Sequence, residues 1–271
     1  MRIALGVEYD GQSYAGWQWQ NGSRTVQAVV ESALSRVANR DIRVVCAGRT
    51  DAGVHAIEQV VHFDTEAERS DYSWLMGVNS NLPDDVRVLW VKPVPETFHA
   101  RYSAIARSYR YIILNRPMKS ALMRRQVTWC RYPLEVDSMQ KAASCLIGDH
   151  DFSSFRAREC QSKSPRRFLH LIRKERHGER VIVDIPANAF LHHMVRNIVG
   201  LLMDIGAGKH PPEWAEQVLR ACDRSQGGVT APADGLYLSG VCYPESFAMR
   251  RDPIFDLLPS NAHRYVPPDF E

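Results

Sequence analysis

The amino-acid sequence predicts an α+β protein built from two copies of a β-α-β-β-α-β unit. Two observations predict this fold class. Segments whose apolar residues alternate, as in half-buried strands, are interspersed with segments whose apolar residues recur at helical spacing. The same order of segments occurs twice along the 271-residue chain. Each copy has the order of a ferredoxin-like unit, and two such halves imply a cleft between them.

The first copy occupies residues 1–104 and begins with a clear strand. Ile3, Leu5, Val7 and Tyr9 alternate with other residues, and the strand closes at an Asp-Gly turn. Capping-type Ser and Thr residues then precede an amphipathic helix. The predicted strands lie at 3–9, 42–47, 58–64 and 86–92, and the predicted helices at 26–37 and 71–79.

The second copy occupies residues 105–245 and follows a proline-bearing stretch. Its predicted strands lie at 107–114, 168–174, 181–185 and 236–243, and its predicted helices at 136–147, 190–205 and 213–221. Residues 246–271 contain several prolines and little periodicity, which predicts an irregular tail.

The composition indicates a soluble globular protein. Apolar residues make up 45% of the chain and charged residues 24%, and no stretch approaches the roughly 18 uncharged apolar residues of a membrane span. The first eleven residues carry Arg2, Glu8 and Asp10 where a signal peptide has an apolar core, so we expect a cytoplasmic protein with no membrane partner. The six cysteines occur singly, which indicates neither a zinc ribbon nor a disulfide scaffold.

Positive charge is concentrated in one part of the chain. Residues 101–131 contain eight basic residues and no acidic residue, and residues 101–180 contain 18 basic and 7 acidic residues, a net +11 in a chain of +3. The cationic residues are 28 Arg and 6 Lys, and the planar guanidinium of Arg suits phosphates and stacks on bases. These features predict a nucleic-acid partner, although an Arg-rich composition alone would also suit a solvated face.

A glycine-containing motif at 47–56 follows directly on a predicted strand. Gly48 and Gly53 permit a sharp turn, which leaves Asp51 displayed at the end of a rigid element. Asp51 is therefore a candidate catalytic carboxylate. The alternative interpretation is that it only caps backbone amides of the turn.

The predicted helix at 190–205 carries a second group of polar residues. His192, Arg196 and Gly200 share one stripe of this apolar helix. A buried Arg196 needs a carboxylate partner, for which an Asp of the other half is a candidate, unless its side chain extends to water at the helix edge. His192 and His193 would point about 100° apart on a helix, which makes them a poor metal site.

Two tyrosines alternate on a basic strand. Tyr109 and Tyr111 share one face of the predicted strand at 107–114, whereas Arg110 lies on the other face. A tyrosine in such a place can stack on a nucleobase, and the alternative is that the rings belong to the core.

Several longer motifs occur in a fixed order along the chain. They are VEYDG at 7–11 with GWQ at 16–18, AGRTDAGVHA at 47–56, FHAR at 98–101, DFSSFR at 151–156, NAFLHHMVRNIVG at 188–200 and GLYL at 235–238. With these motifs the sequence resembles the tRNA pseudouridine synthase A family, from about residue 3 to residue 244. The tail after residue 244 has no counterpart in the resemblance.

The resemblance implies a homodimeric isomerase that needs no cofactor or metal and converts uridines at positions 38, 39 and 40 of the tRNA anticodon stem-loop to pseudouridine. It also implies two α+β halves with mostly antiparallel sheets joined into one extended sheet, helices on one side and the active-site cleft between the halves. Asp51 matches the catalytic aspartate, Arg196 its ion-pair partner, Tyr109 the ring beside the target base and Arg49 a residue that holds the flipped nucleotide out. The predicted substrate contacts also include His55, Arg101, Arg107, Arg110, Arg124, Arg125, Arg156, His192 and His193.

The chemistry leaves three possible roles for Asp51. It can attack C1′ of the ribose, attack C6 of the base, or remove the 2′ proton. A non-catalytic RNA-binding protein with the same basic region is the alternative function, but it would need neither Asp51 nor Arg196. A glycosidase-like hydrolase needs two carboxylates where the motif offers one, and a metal-dependent nuclease needs an acidic cluster that the sequence lacks.

Overall fold

A computed structural model describes residues 1–250 and 252–258 of the protein. This part of the chain contains eleven strands and five α-helices, which confirms the predicted α+β class. The strands are β1 (Arg2–Tyr9), β2 (Val45–Cys46), β3 (His55–Asp64), β4 (Val86–Val94), β5 (Ala106–Asn115), β6 (Thr128–Cys130), β7 (Gly148–Asp151), β8 (Arg166–Leu169), β9 (Arg173–His177), β10 (Arg180–Ala187) and β11 (Leu236–Cys242). The helices are α1 (Val26–Ala38), α2 (Asp71–Asn81), α3 (Val136–Ser144), α4 (Met194–Gly206) and α5 (Trp214–Ala221). None of these helices is long and apolar enough to cross a membrane.

The chain divides into two compact units. Unit 1 comprises Met1–Ile105 and Tyr237–Asp252, and unit 2 comprises Ala106–Leu236 and Pro253–Glu271. This differs from the division at residues 104 and 245 expected from the sequence, because β11 pairs with β3 and so belongs to unit 1 from Tyr237 onward. The predicted tail at 246–271 lies partly outside the described residues, at 251 and 259–271. Its described part includes the short 3-10 helix Pro253–Leu257.

The sheet of unit 1 has the order β4-β1-β3, with two further strands sharing the free edge of β3. The strands β4, β1 and β3 are antiparallel, with Ile3 opposite Phe63. The short β2 pairs with β3 at His62. β11 runs parallel to β3 and pairs with the opposite end of β3, at His55. The predicted β-α-β-β-α-β order is therefore present in unit 1, although the strand predicted at 42–47 shrinks to two residues and the next one starts at His55 rather than 58.

Both faces of the unit 1 sheet are covered. Alternate side chains of β1 and β3 point toward the helices, where Phe63 packs edge-on against Trp74 of α2 at 5.3 Å between ring centroids. The opposite face is built on small residues such as Ala4, and Phe98 and Tyr243 pack there 5.0 Å apart. Burial on both faces explains why nearly every residue of β1 is buried, not only the alternating ones seen in the sequence.

Within unit 2 the strand order is β5-β10-β8-β7, and β6 and β9 pair with β5 and β10. β10 runs antiparallel to β5 and places Val183 opposite Tyr111. The single strand predicted at 168–174 is in fact two strands, because β8 and β9 pair with opposite ends of β10 and the chain between them is irregular. Helix α4 starts at Met194 rather than 190, because His193 adopts a left-handed conformation with φ of 61°.

Two buried histidines predict that the fold loses stability in acid. His62 in unit 1 and His170 in unit 2 are 4% and 7% exposed, and burial lowers the pKa of each to about 4. The folded state therefore binds fewer protons than the unfolded chain, whose histidine pKa is about 6.5. The stabilising contribution is complete above about pH 6.5 and is lost as the pH falls toward 4.

We expect the urea concentration at the unfolding midpoint to decrease when the pH is lowered from 7.5 to 5. His170→Leu should make that decrease smaller. The substitution removes a titrating group whose two ring nitrogens have no hydrogen-bond partner among the described residues, so it leaves no new unsatisfied group there. His210→Gln, at an exposed histidine, is the matched control and should keep the parent dependence. Equal pH dependence in His170→Leu and the parent would contradict this prediction.

Candidate active site

Asp51 lies in the turn that leads into β3. The Ala47 N–H donates to the Val60 carbonyl at 2.8 Å, and the Gln59 side chain spans the Gly48 backbone, so the turn is anchored on β3 itself. The Val54 N–H then donates to the Asp51 carbonyl at 3.1 Å and closes the turn, with Gly53 at φ of 78°. Asp51 is half-buried at this point, whereas Arg49 is exposed.

The segment that follows β1 packs directly on this turn. A Cβ on Gly11 would lie 1.9 Å from the Val54 carbonyl oxygen, and a Cβ on Gly16 would lie 2.8 Å from the Thr50 carbonyl oxygen. Only glycine fits at either position. The Trp17 N–H also donates to the Thr50 carbonyl at 3.0 Å. The motifs at 7–18 and 47–56 are therefore one structural feature, which sequence spacing did not reveal.

Side chains of β1 hold the residue before Asp51. The Tyr9 hydroxyl lies 2.8 Å from the Thr50 hydroxyl, and both groups are buried. The Trp17 ring packs 5.9 Å from Tyr9 and is almost fully buried. These residues were not singled out as site residues from the sequence. The location of Tyr9 and Trp17 in the first motif, and of Thr50 in the second, is what could have identified them.

His55, predicted to contact the substrate, is a buried support of the same turn. Its side chain is 3% exposed, and its Nδ1 lies 3.1 Å from both the Gly11 N–H nitrogen and an Asp10 carboxylate oxygen. The ring stacks on Tyr237 of β11 at 4.7 Å. Burial and the nearby Asp10 charge raise the pKa of Tyr237 to about 12, so this phenol stays neutral at physiological pH.

The two alternating tyrosines of unit 2 are both buried, Tyr111 more completely than Tyr109. Tyr111 is fully buried, and its hydroxyl donates to the Pro232 carbonyl at 2.7 Å. Burial raises the pKa of Tyr111 far above its ordinary value. Tyr109 is 8% exposed and packs edge-on against Phe190 at 4.9 Å. Tyr111 is therefore a core residue, whereas the place of Tyr109 beside the target base remains a prediction.

Arg196 lies in the first turn of α4 and is half-buried. Its Nε donates to the Ala231 carbonyl at 2.8 Å, and the Ala231 N–H donates back to the Arg196 carbonyl. The irregular segment around Ala231 lies so close to the helix that a Cβ on Gly200 would be 1.9 Å from the Val229 carbonyl oxygen. Gly200 therefore lets this segment orient the Arg196 guanidinium.

The histidine pair does not belong to this helix, contrary to the stripe predicted from the sequence. His192 and His193 precede α4 in a turn, and their ring centroids lie 4.0 Å apart. The side chains therefore do not diverge by the roughly 100° expected for neighbours on a helix. Neither unit by itself brings three metal-ligating side chains together among its described residues. That the site works without a metal or cofactor remains a prediction.

The arginines predicted to contact the substrate fall into two groups. Arg101, Arg124 and Arg125 are exposed. Three others are engaged by the protein itself: Arg107 is buried and donates to the Asn188 carbonyl, Arg110 pairs with the buried Asp184, and Arg156 donates to the Cys160 and Ser162 carbonyls. The second group therefore has clear structural roles within unit 2.

Comparisons with known proteins agree with this assembly of motifs. The profile of a family described as tRNA pseudouridine synthase matches residues 6–103 and 142–244. The chain is 64% identical to tRNA pseudouridine synthase A of Methylococcus capsulatus over 99% of each chain. It is 59% identical to the Nitrosococcus oceani protein of that name, covering 93% of this chain and 97% of the relative. The protein of that name from Legionella pneumophila is 54% identical, over 94% and 98%.

Proposed function

The chain belongs to the tRNA pseudouridine synthase family, and from this we propose that it modifies positions 38, 39 and 40 of the anticodon stem-loop with Asp51 as the catalytic carboxylate. Membership makes the protein an isomerase that converts uridine in tRNA to pseudouridine. The specific positions and the catalytic residue are the parts that we propose.

The reaction needs few groups. The N1–C1′ bond breaks, the uracil turns, a C5–C1′ bond forms, and the C5 proton is lost while N1 gains one. No net oxidation occurs, so one carboxylate is sufficient. It can act at C1′, at C6 or on the 2′ proton. The observation that carries the assignment to Asp51 is its half-buried place on a closely packed turn. Gly11 and Gly16 pack against the backbone of this turn with no room for a Cβ.

Three further residues complete the proposed site. On the family resemblance, Arg196 is the ion-pair partner of Asp51, which would favour the ionised carboxylate. Its orientation by the Ala231 carbonyl supports a fixed role. Tyr109 would lie beside the target base, and the exposed Arg49 would hold the flipped nucleotide out of the stem. The buried His55 would act through the turn that carries Asp51 rather than on RNA.

Tritium release tests the function. A tRNA transcript labelled with tritium at C5 of uridine loses label to water when pseudouridine forms. Three transcripts that each keep uridine at only one of positions 38, 39 and 40 separate the sites, and a transcript without uridine at all three is the control. We expect release from each of the three and none from the control. Release from the control transcript would place the modified uridine elsewhere.

We also propose that the enzyme is a cytoplasmic homodimer that binds one tRNA across both subunits. The proposal rests on the family resemblance and on the extent of the basic region at 101–180. Light scattering at micromolar concentration should give the mass of two chains. A monomer with full activity at that concentration would refute the dimer.

Arg196→Ala should lower the single-turnover rate much more than it weakens tRNA binding. The change removes the counter-charge of Asp51 but no phosphate contact. Arg196→Lys should recover only part of the rate, because a point charge cannot reproduce a bidentate pair. Arg220→Ala is the matched control, since Arg220 is exposed on α5 and pairs with Glu216. Equal losses in binding and rate would instead assign Arg196 to a phosphate.

A further inference from the structure

The loop between β5 and β6, residues 116–127, displays apolar side chains to solvent. Leu122 is 93% exposed and Met118 is 74% exposed. Exposed apolar side chains that lie close in the chain mark interaction surfaces more often than isolated ones do. We refer to residues 116–127 as the tip loop.

Hydrogen bonds within the protein hold the tip loop in shape. The Arg116 guanidinium donates to the Met118 carbonyl at 2.8 Å and pairs with Glu179 at 3.0 Å. The Trp129 indole donates to the Arg116 carbonyl at 2.9 Å, which fixes the base of the loop on β6. Farther along, the Met123 N–H donates to the Ser120 hydroxyl at 3.1 Å. The loop is thus built to present Leu122.

The charges around Leu122 select the kind of partner. Lys119, Arg124 and Arg125 are exposed in the same loop, and the sequence contains no acidic residue between 101 and 131. A symmetric contact with a second copy of the chain would bring two such basic loops together, which costs free energy through like-charge repulsion. A polyanion with apolar base and ribose faces complements both the cations and the leucine.

We infer that the tip loop is an RNA-contacting arm in which Leu122 packs against bases or riboses of the tRNA while Arg124 and Arg125 neutralise phosphates. Apolar side chains that wedge against base steps accompany basic residues in other nucleic-acid-binding proteins. The inference rests on the proposed function, because it takes tRNA as the RNA. The charge of the basic region predicts only phosphate contacts, and the inference adds an apolar contact to them.

Salt dependence distinguishes the two kinds of contact. Each neutralised phosphate contributes about one unit to the slope of log affinity against log salt, whereas an apolar contact contributes none. Leu122→Ala should therefore weaken binding of an unmodified tRNA transcript about tenfold at every KCl concentration, with the slope unchanged. Arg124→Gln with Arg125→Gln should reduce the slope by about one to two units.

Two exposed residues of unit 1 provide matched controls. Tyr72→Ala removes an exposed apolar side chain from α2, and Arg69→Gln removes an exposed arginine from an acidic segment. Both variants should bind tRNA with the parent affinity and slope. Because Leu122 is almost fully exposed, Leu122→Ala should unfold at the parent temperature, so a loss of binding would not reflect misfolding.

The remaining outcomes overturn the inference. Parent affinity in Leu122→Ala would remove Leu122 from the RNA contact. Parent affinity together with a halved mass in light scattering would assign the loop to a contact between copies of the chain. Single-turnover tritium release by the two control variants, Tyr72→Ala and Arg69→Gln, is measured in parallel and should match that of the parent. Absence of tritium release by the parent would reject the proposed function. The binding measurements would still show whether the tip loop contacts RNA.

Discussion

Asp51→Asn is expected to fold, bind tRNA and release no tritium above background under single-turnover conditions. Asparagine is nearly isosteric with aspartate and is at least as good a turn residue, so the turn closed by the Val54 N–H should form normally. The carboxylate that we propose as the catalytic group is nevertheless gone. The rate should therefore fall by more than about a hundredfold while affinity stays equal or rises slightly, because one negative charge near RNA is removed.

Two controls make this result decisive. Asp41→Asn changes an exposed aspartate of the same unit and should keep the parent rate. Mass spectrometry of Asp51→Asn must exclude deamidation back to aspartate, since traces of parent enzyme would mimic residual activity. A variant free of aspartate that keeps more than a few per cent of the single-turnover rate would show that Asp51 only caps the turn.

Gly11→Ala should lower both stability and rate, although residue 11 carries no reacting group. The new Cβ would lie 1.9 Å from the Val54 carbonyl oxygen, so either the strand end or the Asp51 turn must move. Overpacking of this kind costs about 1–3 kcal/mol of stability. Displacement of a catalytic group by about 1 Å can cost a hundredfold in rate, so we expect that order of loss in protein that is still folded.

A helical glycine offers the matched control for this prediction. The three atoms nearest to a Cβ on Gly77 of α2 would all belong to the Val37 side chain, the first a methyl carbon at 3.2 Å, and alanine favours the helix. Gly77→Ala should therefore keep the parent rate. Rates are compared at a temperature where circular dichroism shows each variant folded. If Gly11→Ala keeps parent activity and stability, the close packing of the two motifs is not what positions Asp51.

The sequence predicted most elements of unit 1 because neighbouring residues along the chain determine where these elements begin. Thr25 caps α1 by accepting from the Ala28 N–H, and Ser70 caps α2 in the same way, so side-chain chemistry determines where both helices begin. The start of α4 could not be predicted from apolar spacing. The helical pattern continues back to Phe190, but the left-handed backbone at His193 interrupts it.

The candidate site was only partly predictable for a different reason. Residue types made Asp51 and Arg196 candidates and the family resemblance implied their roles, but the supporting contacts join distant segments, as when Gly11 meets Val54. The count of basic residues also overstated the positive charge that is available to bind RNA, because part of it is paired within the protein. Asp184, far along the chain from Arg110, pairs with both Arg110 and Arg173, and no local window contains all three.

The parallel pairing of β11 with β3 has a consequence for protein synthesis. His55, at the end of the turn that carries Asp51, stacks on Tyr237, which the ribosome adds only after almost the whole of unit 2 has been made. Unit 1 is thus discontinuous in the chain, and contacts between such distant residues form late because long loops must close first. A nascent chain that ends before residue 237 lacks the strand that completes the support of Asp51. Translation itself therefore delays complete assembly of the Asp51 turn until synthesis is nearly finished.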